Sequence, residues 1–416
     1  MKSRVNLANI KRAASSFGDV VLHTPLMLNP TQSSKYAATV RFKREDLQVV
    51  RSYKIRGAFH KINSLTQDEL ANGVVCASAG NHAQGVALSC AKKGVRGVVF
   101  MPSPTPNQKI EQVKMFGGEL VDVILTGDTF DEASASALKF CEEQNMTFVH
   151  PFDDEKVIEG QGTIGFEILE DAIEPIDYLF VPVGGGGLAS GLSAVFKELS
   201  PQTKIIGVEP AGAPSMSTSI KNKSNTRLDH IEKFIDGASV QQVGERNFEL
   251  CAELLDEMVT VDEGKVCQTI LDMYNRDAIV VEPAGGMTVA VLDQFKEEIR
   301  GKNVVCLISG SNNDITRTEE IKERALLYAG LKHYFVVQFP QRAGALKEFI
   351  SNVLGPEDNI THFEYSKKHN RNSGPAVVGI ELLNAESLQP LQDRMSQNGF
   401  ANRYLNDQPD LFELMV

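Results

Sequence analysis

Val74-Val-Cys-Ala-Ser-Ala-Gly-Asn-His82 joins four small apolar residues to a polar, glycine-containing turn, and the residues behind it run in helical pattern to Lys93 before a second apolar run, Val95 to Met101. Four consecutive apolar residues are too few for a helix but fill a buried strand, so Val74–Ala77 is expected as a strand, 81–93 as a helix and Val95–Met101 as the next strand. The same strand-helix-strand order recurs at Tyr178–Val183, Leu188–Leu199 and Lys204–Val208, and a further apolar run stands at Asn303–Ile308. Short buried strands alternating with helices imply an α/β fold with parallel sheets covered on both faces, and ligands in such folds bind beyond the carboxyl ends of the strands. The polar turns after Ala77, Val183 and Ile308 are therefore where a site belongs.

With 416 residues the chain exceeds what one core holds, and 42% hydrophobic residues suffice for more than one. Forty-two basic against 54 acidic residues give a net charge of −12, which argues against nucleic acid or an anionic membrane as the main partner and favours small-molecule chemistry. Cysteines 76, 90, 141, 251, 267 and 306 contain no C-x-x-C pair and read as core residues of a reducing compartment. The first ten residues lack an apolar leader pattern, and nowhere do 18 uncharged apolar residues run together. A cytoplasmic location is expected, which makes the sequons at Asn145, Asn222 and Asn359 chance matches.

Beyond residue 317 the character changes. A charged helical stretch, Thr318–Tyr328, meets a break at Gly330. The tail then reads as strand (His333–Phe339), helix (Ala343–Leu354), two strands (Ile360–Ser366 and Ala376–Leu382), helix (Glu386–Asn398) and strand (Phe400–Leu405), the β-α-β-β-α-β order of ferredoxin-like domains. It holds no nucleophile with a base, so a regulatory or assembly role is expected. The expected division is a two-lobed catalytic region over 1–320 with a smaller lobe at about 50–150, a connecting helix over 321–331 and a tail domain over 332–416, so that a cut near Gly330 separates the two functions.

Two features carry chemistry. Lys54 lies in Ser52-Tyr-Lys-Ile-Arg-Gly-Ala58, a mixed run in which a partly desolvated amine would lose its preference for the charged form and become a nucleophile toward carbonyls. Without other motifs it would read as a surface lysine beside Arg56. Val183-Gly-Gly-Gly-Gly-Leu188 lies between a strand and a helix, where consecutive backbone N–H groups can turn toward a phosphate. Gly184, Gly186 and Ala189 also satisfy G-x-G-x-x-A with Glu209 about twenty residues on, so an NAD-dependent dehydrogenase remains an alternative. Four glycines in a row and the lysine motif are what that alternative leaves unexplained.

Taken together, Glu45-Asp-Leu-Gln48, Ser52 to Ala58, Ser78-Ala-Gly-Asn-His-Ala-Gln-Gly85, Pro182 to Leu188 and Ser309-Gly-Ser-Asn312 resemble the pyridoxal-phosphate enzymes of the tryptophan-synthase-β class (fold type II), and within it threonine dehydratases. The tail, with Phe339-Pro-Gln-Arg-Ala-Gly-Ala345 and Leu354-Gly-Pro-Glu-Asp358, resembles the single ACT-like regulatory domain of short biosynthetic forms. The resemblance implies pyridoxal 5'-phosphate in Schiff-base linkage to Lys54, its phosphate on Gly184, Gly185, Gly186, Gly187 and Leu188, its ring hydroxyl on Asn81 and its pyridine nitrogen facing Ser309. It implies a substrate carboxylate on Ser78, Ala79, Gly80, Asn81 and His82, although His82 alone reads as a structural hydrogen bonder.

The activity so implied is deamination of L-threonine, and also of L-serine, in isoleucine biosynthesis. Isoleucine would bind the tail as a feedback inhibitor, and the protein would be a homo-oligomer, dimer or tetramer. Related serine racemases carry a second serine where Ala79 stands, so racemisation is not expected. They also hold a cation with an Asp where Ser215 follows Glu209, so no metal is expected. A catalytically inactive amino-acid sensor remains the other alternative, with Lys54, Asn81 and Ser309 then unexplained.

Overall fold

The computed structural model describes residues 5–365, 373–408 and 410–412. Ser366 of the expected strand and residues 1–4, 366–372, 409 and 413–416 of the expected domains lie outside them. The strands run β1 (Leu26–Leu28) and β2 (Thr39–Arg44), then β3 (Val74–Ala77), β4 (Gly97–Met101), β5 (Val121–Leu125) and β6 (Thr147–Phe148), then β7 (Tyr178–Pro182), β8 (Lys204–Pro210), β9 (Glu257–Val261) and β10 (Asn303–Ile308), and in the tail β11 (Lys332–Pro340), β12 (Asn359–Tyr365), β13 (Ser373–Glu381) and β14 (Asn402–Tyr404).

The chain forms two compact units, 1–315 and 316–416. In the first, β1 to β10 make two sheets. The larger has the order β1-β2-β10-β7-β8-β9, parallel except where β1 joins the edge, and the smaller has β5-β4-β3-β6, parallel throughout. Every residue of β3, β4 and β7 is buried, as strands covered on both faces require. The smaller sheet is an insertion between β2 and β7, which makes this unit two-lobed.

Most expected elements appear within a residue or two of their places. One difference has a local cause: the second strand begins at Gly97 rather than Val95, because the Val95 N–H turns back to the Cys90 carbonyl to finish the preceding helix. Helix Asn81–Lys93 follows β3 directly, and helix Gly187–Leu199 follows β7 across the glycine loop. The turns after β3, β7 and β10 thus stand at carboxyl ends of parallel strands.

The tail sheet is antiparallel in the order β12-β13-β11-β14, the ferredoxin-like arrangement. Helices Ala345–Asn352 and Leu388–Gln397 cover one face around Phe335, Phe339, Phe349 and Phe400. Helix Thr318–Tyr328 belongs to this unit rather than lying between the two. Its Glu323 accepts a hydrogen bond from the Tyr334 hydroxyl at 2.6 Å and pairs with Lys332 at 3.2 Å.

Candidate active site

A cavity of about 940 Å³ opens between the two lobes of the first unit, lined by Lys54, the Ser78–His82 turn and the Gly184–Leu188 loop. Lys54 is the first residue of helix Lys54–Asn63. Two residues on, Arg56 is fully buried and donates to Glu45 at 2.8 Å and to Glu167 at 2.6 and 2.8 Å. Glu167 also takes the buried Lys43 amine at 2.6 Å. The lysine is held from the other side as well, since the Tyr53 N–H donates to the Ser309 carbonyl at 3.2 Å and Ser52 bridges Gly310. A side chain on so fixed a backbone has few places to go, and the Lys54 amine donates to the Pro151 carbonyl at 2.8 Å. Burial disfavours its charge and brings its pKa down to about 8, against the opposing pull of Glu282.

The turn after β3 presents the uncapped start of helix Asn81–Lys93, whose N–H groups and dipole suit a carboxylate. His82 is buried and shares a 2.8 Å hydrogen bond with the Val149 carbonyl. A carbonyl only accepts, so Nε2 carries the proton. Burial, with the Lys54 charge adding to it, lowers the ring's pKa to about 3, so His82 supports the turn as a neutral donor. Asn81 accepts from the Asn312 amide at 2.6 Å and donates its own nitrogen to Glu282 at 2.7 Å.

Nothing larger than hydrogen fits in the glycine loop, so its backbone lines the cavity without side chains. A Cβ at Gly185 would sit 2.3 Å from the Phe152 ring and one at Gly187 2.7 Å from the Phe152 carbonyl, while Gly186 has φ +93°. No side chain caps the helix that follows, and Gly184 to Leu188 all line the cavity. With Lys54 in the same cavity, these residues match what pyridoxal phosphate needs: an amine for its aldehyde and backbone donors for its phosphate.

Two residues of the sequence reading are buried and are not among those lining the cavity. Ser309, at the end of β10, is 2% exposed and is not among the cavity-lining residues, although Asn312 of the same turn is. Glu209, the acidic partner that a dinucleotide fingerprint needs, is buried away from the cavity. Its oxygens accept from the Met216 and Ser217 N–H groups at 2.6 and 2.9 Å and from the Ser217 hydroxyl at 2.8 Å. Those bonds close the 209–217 stretch on itself, and the Ser215 hydroxyl donates to the Val240 carbonyl. Among the described residues no group of three or more His, Cys, Asp or Glu side chains is placed to hold a metal ion.

Sequence reasoning missed Glu282 and the His150–Phe152 segment that wraps Lys54. The His150 ring nitrogen Nδ1 accepts from the Asp153 and Phe152 N–H groups at 2.7 and 3.2 Å, which fixes the segment's curl. It also missed two ion pairs that join the lobes, Lys109 with Asp236 and Arg227 with Asp131, each at 2.8 Å.

The family model of pyridoxal-phosphate dependent enzymes matches residues 19–310, and that of the C-terminal regulatory domain of threonine dehydratase matches 323–415. Biosynthetic L-threonine dehydratase of Halalkalibacterium halodurans is 55% identical over 413 residues, 99% of this chain and 100% of its own. That of Bacillus subtilis is 52% identical over 414 residues, 100% of this chain and 98% of its own. The solved structure of the processed form of threonine deaminase isoform 2 from Solanum lycopersicum is similar with a TM-score of 0.74 at 41% identity, over 77% of this chain and 87% of that one. With its cavity, its glycine cradle and its antiparallel tail, this chain belongs to the pyridoxal-phosphate dependent enzymes, in the family of biosynthetic L-threonine dehydratases.

Proposed function

We propose that this protein deaminates L-threonine to 2-oxobutyrate and ammonia, the first committed step of isoleucine biosynthesis, with pyridoxal phosphate held on Lys54. The observation that carries this reading is the coexistence, in one cavity, of an amine with a pKa near 8, a side-chain-free glycine cradle and a helix start suited to a carboxylate. When bound, the cofactor supplies an aldehyde that condenses with amines and a ring that accepts the electron pair left by a broken Cα–H bond.

The chain's own residues do the rest. The Ser78–His82 turn holds the substrate carboxylate, and Asn81 donates to the ring hydroxyl. Lys54, free as a neutral amine once substrate is bound, takes the Cα proton. Loss of the β-hydroxyl as water, followed by addition of water and release of the amino group, gives 2-oxobutyrate and ammonia with atoms in balance. Ser309, buried in the turn whose Asn312 lines the cavity, would be the neutral partner of the ring nitrogen, where a hydroxyl does not hold a proton as a carboxylate would. Elimination is then preferred over transamination.

L-Serine lacks one methyl, worth about 1–3 kcal/mol in a pocket, and is expected to react as a second substrate. The tail binds isoleucine and lowers activity, and the protein works as a dimer or tetramer in the cytoplasm. No helix among the described residues is long and apolar enough to cross a membrane. Purified protein with pyridoxal phosphate and L-threonine should release 2-oxobutyrate and ammonia in equal amounts, and Lys54→Ala should release neither while keeping its circular dichroism. Equal turnover by the variant would reject the reading.

A further inference from the structure

Glu282 is a buried carboxyl in the wall of the cavity. It stands at the start of helix Pro283–Ala290, every residue of which is buried, and it is itself 7% exposed while lining the cavity. Its surroundings are fixed from three directions. The Glu282 N–H donates to the Gly310 carbonyl at 3.2 Å, and its carboxylate accepts from the Asn312 N–H and from the Asn81 amide nitrogen, the latter at 2.7 Å. A Cβ on Gly310 would lie 2.6 Å from Glu282 Oε1, so the 309–312 turn is packed directly on the carboxyl.

Asn312 in turn donates its side-chain nitrogen to both the Val50 carbonyl at 2.8 Å and Asn81 Oδ1 at 2.6 Å. An amide pinned in this way can be read atom by atom. The Asn81 oxygen is used by Asn312 and one of its N–H bonds by Glu282, which leaves one N–H for the cavity. Flipping the amide would set its oxygen against the Glu282 carboxylate and its nitrogen against the Asn312 nitrogen.

We propose that Glu282 is a positioning residue for the cofactor ring: with Asn312 it locks the Asn81 amide in the one orientation that offers an N–H to the ring hydroxyl. This rests on the reading that the cofactor is held on Lys54 in this cavity. The charged and titratable groups facing Glu282 are Lys54 and Tyr53 from the lysine helix and its start, and Lys109 and Asp236 from the two sides of the cavity. Burial first, with Asp236 adding to it, raises Glu282 to about 7, so it changes charge in the neutral range beside Lys54.

The test uses full-length protein, pyridoxal phosphate as the probe, and the Glu282→Gln and Glu282→Ala variants. Glutamine keeps an acceptor for Asn81 but cannot ionise, whereas alanine frees the amide. The cofactor dissociation constant should stay within about threefold of wild type in Glu282→Gln and rise roughly ten- to hundredfold in Glu282→Ala, the scale of a lost hydrogen bond to a charged group. The visible band of the bound cofactor should show a pH step near 7 in wild type that Glu282→Gln lacks.

A wild-type dissociation constant in Glu282→Ala, or an unchanged pH step in Glu282→Gln, would overturn the proposal. If Glu282→Ala does not fold by circular dichroism, the glutamine variant decides alone. A wild-type protein with no visible band would instead overturn the cofactor reading, and this proposal with it.

Discussion

Lys54 is a weaker base than a lysine in water because the cavity strips hydration from its charged form, and that difference can be measured. The neutral amine is the nucleophile, so cofactor attachment to the cofactor-free protein should speed up with pH and level off through a midpoint near 8, whereas an ordinary lysine would keep accelerating toward 10.5. Stopped-flow absorbance between pH 6.5 and 9.5 reads this directly. Lys54, the Ser78–His82 turn and the glycine loop were legible in the sequence because each is a cluster of unusual residue types at a strand end. Glu282 was not, since a single carboxylate in Val281-Glu-Pro-Ala-Gly285 reads as an ordinary helix start. Glu209-Pro-Ala-Gly212 has the same four residues, yet there the carboxylate caps a neighbouring helix outside the cavity.

At the scale of elements, what aims Lys54 is the burial of its helix against helix Glu155–Asp171 through Arg56. Replacing Arg56 with methionine fills the space but leaves Glu45 without its partner in a dry core, and breaking such a pair costs about 3–5 kcal/mol. The urea midpoint of the first unit should fall accordingly, with loss of cofactor affinity following loss of helix position. Gly185→Ala tests the loop by steric means alone. Its Cβ would strike the Phe152 ring, so the loop or the His150–Phe152 segment must shift, and cofactor affinity should drop by at least about tenfold while the urea midpoint changes far less. An unchanged affinity would show that the cradle tolerates a methyl group. Strands and helices around the site could be read from apolar runs and glycine breaks, whereas the Phe152 contact joins residues 33 apart in sequence and leaves no periodic trace.

For the whole molecule, the order of tail elements was readable because each strand alternates or runs apolar between turn residues, but the place of helix Thr318–Tyr328 was not. The sequence reads it as a charged connecting helix over 321–331; in the fold it buries Ile321 and Ala325 and pairs Glu323 with β11. A cut at Gly330 would strip that helix of its sheet, so the cut that respects both units falls after Ile315. Residues 1–315 should keep cofactor binding and threonine turnover and lose isoleucine inhibition, because an effector acts only through a difference in its affinity for two states of the enzyme. Isoleucine titrations of both forms at several threonine concentrations check this. Equal inhibition would move the effector site into the first unit.

Anchorage of the cofactor on Lys54 has a direct chemical test. The test is borohydride reduction of the protein saturated with pyridoxal phosphate, followed by trypsin and mass spectrometry. Trypsin does not cut after a modified lysine, so the reduced cofactor is expected on the peptide Ser52-Tyr-Lys-Ile-Arg56, carried by Lys54. An unlabelled Lys54, with the cofactor on another lysine or on none, would contradict it.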